Sequence, residues 1–211
     1  MATMATAAKS RPRSAPLKAV PEATAKARSV ARAKALAPDV PAPIGTTPAT
    51  PFRGNPDIFG RLVEDHDHHR ALLAMIGESE PASGNRERLF RELVREIKGH
   101  AAAEEQALWS AVLRDPATTE DARHAIAEHK EIDDMLADLA ARDMASRGWL
   151  TRFAAMKAEY LHHIREEEQE QFVAAEMQLS PADLRHMRTV FARRKKAEKA
   201  AAKVERKISL K

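Results

Sequence analysis

The chain has 211 residues, a formal net charge of +4, 44% hydrophobic and 4% aromatic residues, and no cysteine. Disulfides, thiolate zinc sites and Cys-ligated iron–sulfur clusters are thereby excluded, so any metal must be held by His and carboxylate, a donor set that suits iron, manganese or zinc. Seven glycines, few β-branched residues and 31% charged residues predict an all-helical protein. No apolar run reaches the roughly 18 residues of a membrane span, and no apolar secretory segment opens the chain, so the expected location is the cytoplasm.

Charge divides the chain into three. Residues 1–50 carry eight basic and two acidic side chains, residues 190–211 nine basic and two acidic, and residues 51–189 eighteen basic against 27 acidic. An acidic core is expected between two basic ends. Residues 1–54 hold most of the prolines and few large apolar residues, too little to offset the entropy of ordering, and are expected to be a disordered basic tail.

Asn55-Pro56-Asp57 predicts a helix start with Asn55 as N-cap and Pro56 in the first helical position. The stripe Phe59, Leu62, Val63, Leu73 and Ile76 carries this first helix to Gly77. After a turn at 80–84, Leu89, Leu93, Ile97 and Leu108 mark a second helix from Asn85 to Arg114, stopped by Pro116. Thr118 or Thr119 caps a third, with Ile126, Ile132, Leu136 and Leu139 inward, ending near Ala141. A fourth runs from 146–148 to Met177, and Ser180-Pro181-Ala182-Asp183 opens a basic fifth helix within 179–211. Short links between long amphipathic helices predict an up-down-up-down four-helix bundle over 55–178.

An internal repeat carries the chemistry. Displaced by 63 residues, Val63 falls on Ile126, Leu73 on Leu136, Phe90 on Phe153 and Trp109 on Phe172, while His66 falls on His129, His100 on His163, Glu104 on Glu167 and Glu105 on Glu168. A helical hairpin cannot bury its own face, so two such hairpins stacked across a pseudo-twofold axis make one bundle. His100 lies seven residues after Leu93 and one turn before Glu104; His163 stands in the same relation to Met156 and Glu167, and His66 and His129 each lie seven before a stripe leucine. All six side chains therefore point inward. Carboxylates facing each other in an aliphatic interior demand positive charge between them. Two divalent cations bridged by Glu104 and Glu167, each also bound by imidazoles, meet that demand.

The segments Glu64-Asp65-His66, His100-Ala-Ala-Ala-Glu104-Glu105, Glu128-His129 and His162-His163-Ile-Arg-Glu166-Glu167-Glu168 resemble the hemerythrin-like, or HHE cation-binding, family over roughly 55–178. The resemblance implies a four-helix bundle with a non-haem di-iron centre of oxo- or hydroxo-bridged Fe2+/Fe3+, manganese or zinc being the alternatives. It implies binding of dioxygen, peroxide or nitric oxide, or sensing and handling of iron and redox state, with His66, His100, Glu104, His129, His163 and Glu167 as ligands. The oxygen carriers have a second His one turn after the third-helix His; here that position is Asp133, which argues against reversible oxygen carriage. Asp133, His69 (one turn beyond His66) and Glu105 are further metal candidates, and Tyr160 a candidate donor at the site. Glu105 and Glu168 are otherwise expected to be solvated or to contact a metal ligand from behind, and His68, His124, His162 and His186 to lie on the surface. A peroxidase-like or oxidase-like enzyme is the alternative to a binding protein. Weakest is a metal-free module whose ends, with Arg193-Arg194-Lys195-Lys196 the densest run, contact nucleic acid or an anionic surface; those ends could equally fold back on the acidic core. Monomer and homodimer are both compatible.

Overall fold

A computed structural model of the chain describes residues 18–45, 47–81 and 83–202, and within them all regular structure is helical. Six helical elements follow in chain order. They are α1 (Glu22–Lys34), α2 (Ile58–Gly77), α3 (Gly84–Glu104), α4 (Thr119–Ala140), α5 (Arg147–Glu166) and α6 (Pro181–Ala201). Two of them run on through a π-helical turn into a short α-helical end: α3 through Glu105–Trp109 to Ser110–Val112, and α5 through Glu167–Gln171 to Phe172–Glu176. Among the described residues, no helix is long and apolar enough to cross a membrane.

The helix starts follow local chemistry. Asp57, rather than the expected Asn55, caps α2, its side chain accepting from the Gly60 amide. Gly60 has no room for a side chain, since a Cβ there would lie 2.1 Å from the Asn55 carbonyl oxygen as the chain folds back before the helix. Ser83 caps α3, and Ser180 and Asp183 form a reciprocal capping box at α6, with Pro181 in the first turn.

Packing joins α2 to α3 and α5, and α4 to α5 and α3. The interior is two apolar clusters. One gathers Leu73, Ile76, Leu93, Leu136 and Phe153; the other gathers Phe59, Leu62, Trp109, Ala125 and Phe172. On each of the four helices the predicted ligands fall between the residues given to one cluster and those given to the other. The polar centre is thus sealed from both ends by aliphatic and aromatic side chains.

Two further elements pack on these four helices, and the first of them departs from expectation. Part of residues 1–54, taken as disordered, is ordered: α1 packs on α2, and Ala33, Ala37 and Val40 join the first apolar cluster. Alanine, counted as too small to drive ordering, suffices because it lets two helix backbones approach closely. Residues 1–17 lie outside the described set. The basic fifth helix, α6, packs on α3 and α2, adding Leu184, Met187 and Phe191 to the second cluster. Within the basic run, Lys195 is buried, facing the acidic core instead of solvent.

Candidate metal centre

His66, His100, Glu104, His129, His163 and Glu167 come together in the interior, the carboxylates fully buried and the imidazoles no more than 7% exposed. Their Nε2 atoms converge. His66 Nε2 lies 3.2 Å from His100 Nε2 and 3.3 Å from Glu167 Oε2. His163 Nε2 lies 3.4 Å from Glu167 Oε1, and His129 Nε2 lies 3.6 Å from Glu104 Oε2 and 3.9 Å from Glu167 Oε1. His100 Nε2 lies 3.4 Å from Glu104 Oε2. Two donor groups result, His66–His100–Glu167 and His129–His163–Glu167, sharing one carboxylate.

These spacings suit cations better than hydrogen bonds. Bonds of about 2.1 Å to a shared metal hold neighbouring tetrahedral donors about 3.4 Å apart. All four carboxylate oxygens of Glu104 and Glu167, and His129 Nε2, have no hydrogen-bond partner despite their burial. An unpaired buried carboxylate is costly, so the donor set fits a pair of metal ions. The imidazoles register the same need for positive charge. Burial pushes His66 down, but the Glu167 and Glu168 carboxylates override it and raise it to about 9. Burial likewise opposes His129, and Glu104 and Glu105 raise it to about 10. Glu104 is held well below the ordinary carboxylate range: burial acts upward, and His100 and His129 outweigh it.

The opposite edge of every ring is also held. His66 Nδ1 pairs with Glu168 at 2.8 Å, His100 Nδ1 with Asp65 at 3.3 Å, His129 Nδ1 with Glu105 at 3.0 Å and His163 Nδ1 with Glu128 at 2.8 Å. With Nδ1–H given to a carboxylate, Nε2 is left free to bind a metal, and the ligand becomes more basic. Both pairs of holders obey the 63-residue repeat, Asp65 with Glu128 and Glu105 with Glu168.

The profile of the hemerythrin HHE cation binding domain matches residues 57–175. The chain belongs to the hemerythrin HHE cation-binding family. Among solved structures, this hemerythrin-like chain is similar to a hemerythrin HHE cation binding domain-containing protein, the Rv2633c homolog from Mycobacterium kansasii. The two are 25% identical with a TM-score of 0.62, over 69% of this chain and 88% of that one. No curated protein matches it.

The three further metal candidates do not join the two donor groups. Asp133, one turn beyond His129 on the same side of α4, lines the cleft beside it and pairs with Lys98 at 2.6 Å, so its carboxylate is taken up by an ammonium and not offered to the centre. His69 is buried with Nδ1 2.6 Å from Tyr160 Oη, so the pair the sequence offered as separate site groups occupy each other. Glu105 sits at the Nδ1 edge of His129, away from the Nε2 convergence. At Glu168 the structure decides between the two expectations, and at His68 the surface expectation fails. Glu168 is fully buried between His66 and Arg70, because the π turn after Glu166 widens the helix and turns consecutive glutamates toward the interior. His68 is buried beneath α1, with Nδ1 3.2 Å from the Ser29 carbonyl oxygen.

The holders Asp65 and Glu128 were missed as functional residues, although each stands one position before a repeat-related His. Lys195 was missed as well. It reaches Asp65 at 2.5 Å and Glu96 at 2.6 Å, and no spacing rule relates α6 to α2.

Proposed function

We propose that residues 57–175 form an up-down-up-down four-helix bundle around a non-haem di-iron centre. His66, His100, His129 and His163 are its nitrogen ligands, and Glu104 and Glu167 its bridging carboxylates. The protein then binds dioxygen or nitric oxide, or senses and handles iron and redox state. When bound, an iron pair supplies reversible one-electron chemistry and affinity for small diatomic ligands. The chain's own residues fix the imidazole rings through four carboxylates, exclude water with two apolar clusters, and balance charge. The observation that carries this reading is the convergence of four Nε2 atoms on two buried carboxylates with no hydrogen-bond partners. Support for the topology comes from the apolar clusters: one takes the start of α2 and α4 and the end of the π-turned helices that follow them.

A cleft of about 430 Å3 between α3 and α4, lined by Ile97, Ala101, Ala102, Glu105, His129 and Asp133 among others, gives small molecules a path to the His129 side. That path favours a second reading, a di-iron enzyme turning over peroxide, to be tested by peroxide consumption in the iron-loaded protein and its absence in His66→Ala.

Iron-replete protein purified in air is expected to carry about two irons per chain, as di-iron bundles do, and to absorb in the visible. A colourless, metal-free preparation overturns the proposal. His100→Ala and Glu167→Ala are each expected to lose metal and to unfold more easily, because binding energy here is folding energy.

A further inference from the structure

The repeat makes the two halves comparable position by position, and they differ at one face. In the first half, Arg61, Asp65, Gly99 and Ala103 occupy the places that His124, Glu128, His162 and Glu166 hold in the second. Asp65 and Glu128 perform the same task, holding a ligand imidazole at Nδ1. The first-half face is covered by α6. Gly99 permits that approach, since a Cβ there would already lie 3.3 Å from Lys199 Cβ, and α6 delivers the Lys195 ammonium to 2.5 Å from Asp65. Arg61 also reaches Asp65, at 2.5 Å. The holder carboxylate of the first half therefore has two built-in cations.

The second-half face has no such helix over it among the described residues. In place of the fixed cations it presents two His-x-x-x-Glu pairs side by side, His124 with Glu128 on α4 and His162 with Glu166 on α5. This is the spacing of His100–Glu104 and His163–Glu167 in the interior. His124 Nε2 lies 3.4 Å from Glu128 Oε1 and 3.4 Å from Glu166 Oε2, and His162 Nε2 lies 3.3 Å from Glu166 Oε1. These match the donor separation of about 3.4 Å expected around a tetrahedral metal. Glu166 Oε2, shielded from solvent, has no hydrogen-bond partner. The side chains of His124 and His162 are 56% and 50% exposed, so an ion can reach them directly.

We propose that His124, Glu128 and Glu166, flanked by His162, form a third, peripheral site for a divalent cation of the zinc or ferrous type. The cation takes the place that Lys195 and Arg61 fill in the first half. Because Glu128 Oε2 holds His163 at 2.8 Å while Oε1 faces the peripheral site, one carboxylate serves both. The site stands on its own donors; only this link to the interior rests on the proposed function.

Zinc titration of the full chain by calorimetry tests it, with circular dichroism to verify that each variant is folded. The parent is expected to take up about three zinc ions per chain, the exposed one in a separate and weaker step. His124→Ala/His162→Ala and, independently, Glu166→Gln are expected to lose that step alone. A parent whose every binding step survives in the variants overturns the proposal. Were the interior centre wrong and this site right, the parent would show a single step that both variants abolish.

Discussion

His66, His100, His129 and His163 each meet a carboxylate at Nδ1, and only two of those four carboxylates, Asp65 and Glu168, are fully buried. Such partners hold a ring in one orientation and set its tautomer, and their loss typically weakens metal affinity about 10–100-fold. Glu168→Gln and Asp65→Asn keep shape and remove charge. Each is expected to lower metal affinity by that order, about 10–100-fold, in chelator competition, with the metal count at saturation unchanged. Glu105→Gln is expected to do less, since its side chain is 40% exposed and water can replace it. The six inward side chains were legible from the stripe and the repeat. Glu105 and Glu168 were marked by the repeat, but Asp65 and Glu128 were not singled out, because an acidic residue beside a histidine has no distinctive period; only the folded helices show which carboxylate faces which Nδ1.

At the scale of elements, the two π turns and α6 decide what the site can do. Each π turn begins directly after or at an inward glutamate, Glu105–Trp109 behind Glu104 and Glu167–Gln171 on the second helix. By inserting extra backbone they let neighbouring glutamates serve the centre and a ring edge together. Sequence periodicity assumes an unbroken α-helix and so places Glu105 and Glu168 about 100° away from their neighbours. Helix α6 brings a cation into the interior. Burial alone would raise the Glu96 carboxyl, but Lys195 and then Arg32 draw it down to about 2. Lys195 itself lies below its ordinary value because burial outweighs Asp65 and Glu96, so the ammonium is the partner under tension.

Lys195→Met takes one cation from Asp65, which keeps Arg61, and one from Glu96, which keeps Arg32 and Lys199, so it is expected to destabilise in denaturant unfolding by less than the roughly 3–5 kcal/mol of a buried charge left uncompensated. A carboxyl whose folded value is depressed stabilises the fold above its unfolded value and ceases to as pH falls through the folded one. Stability should therefore drop as pH falls from about 4.5 toward about 2, and Glu96→Gln should flatten that part of the profile.

For the molecule as a whole, the described parts of both basic ends fold onto one half of the repeat. From the N-terminal side, Arg53 binds Asp67 at 2.8 Å, Asp67 binds Arg70 at 3.0 Å, and Arg70 binds Glu168 at 2.9 Å, which holds His66. From the C-terminal side, Lys195 binds Asp65, which holds His100, while the Phe191 ring sits edge-on to His100 with centroids 5.5 Å apart. The first half is roofed and charge-compensated by its own chain; the second is open to solvent on α4 and α5. Small ligands are thus expected to enter where the two halves meet, through the cleft between α3 and α4 beside His129. Ala102→Phe should fill that cleft without touching a ligand, slowing nitric oxide association with the ferrous protein severalfold in stopped-flow traces while iron content holds.

The helical class, the four helices that carry the inward His and Glu, the repeat and the six convergent side chains were all legible in the sequence alone. Helical periodicity and a fixed offset are local properties, written into one strand of letters. The tertiary structure decided the rest: that alanine-rich residues near the N-terminus dock as α1, that a lysine in a solvated-looking basic run is the buried counter-ion of Asp65, and that Asp133 is taken up by Lys98. Those outcomes depend on which surfaces meet across long stretches of chain. A charge spends its energy on whatever neighbour the fold supplies, and neighbours in space have no fixed spacing in sequence.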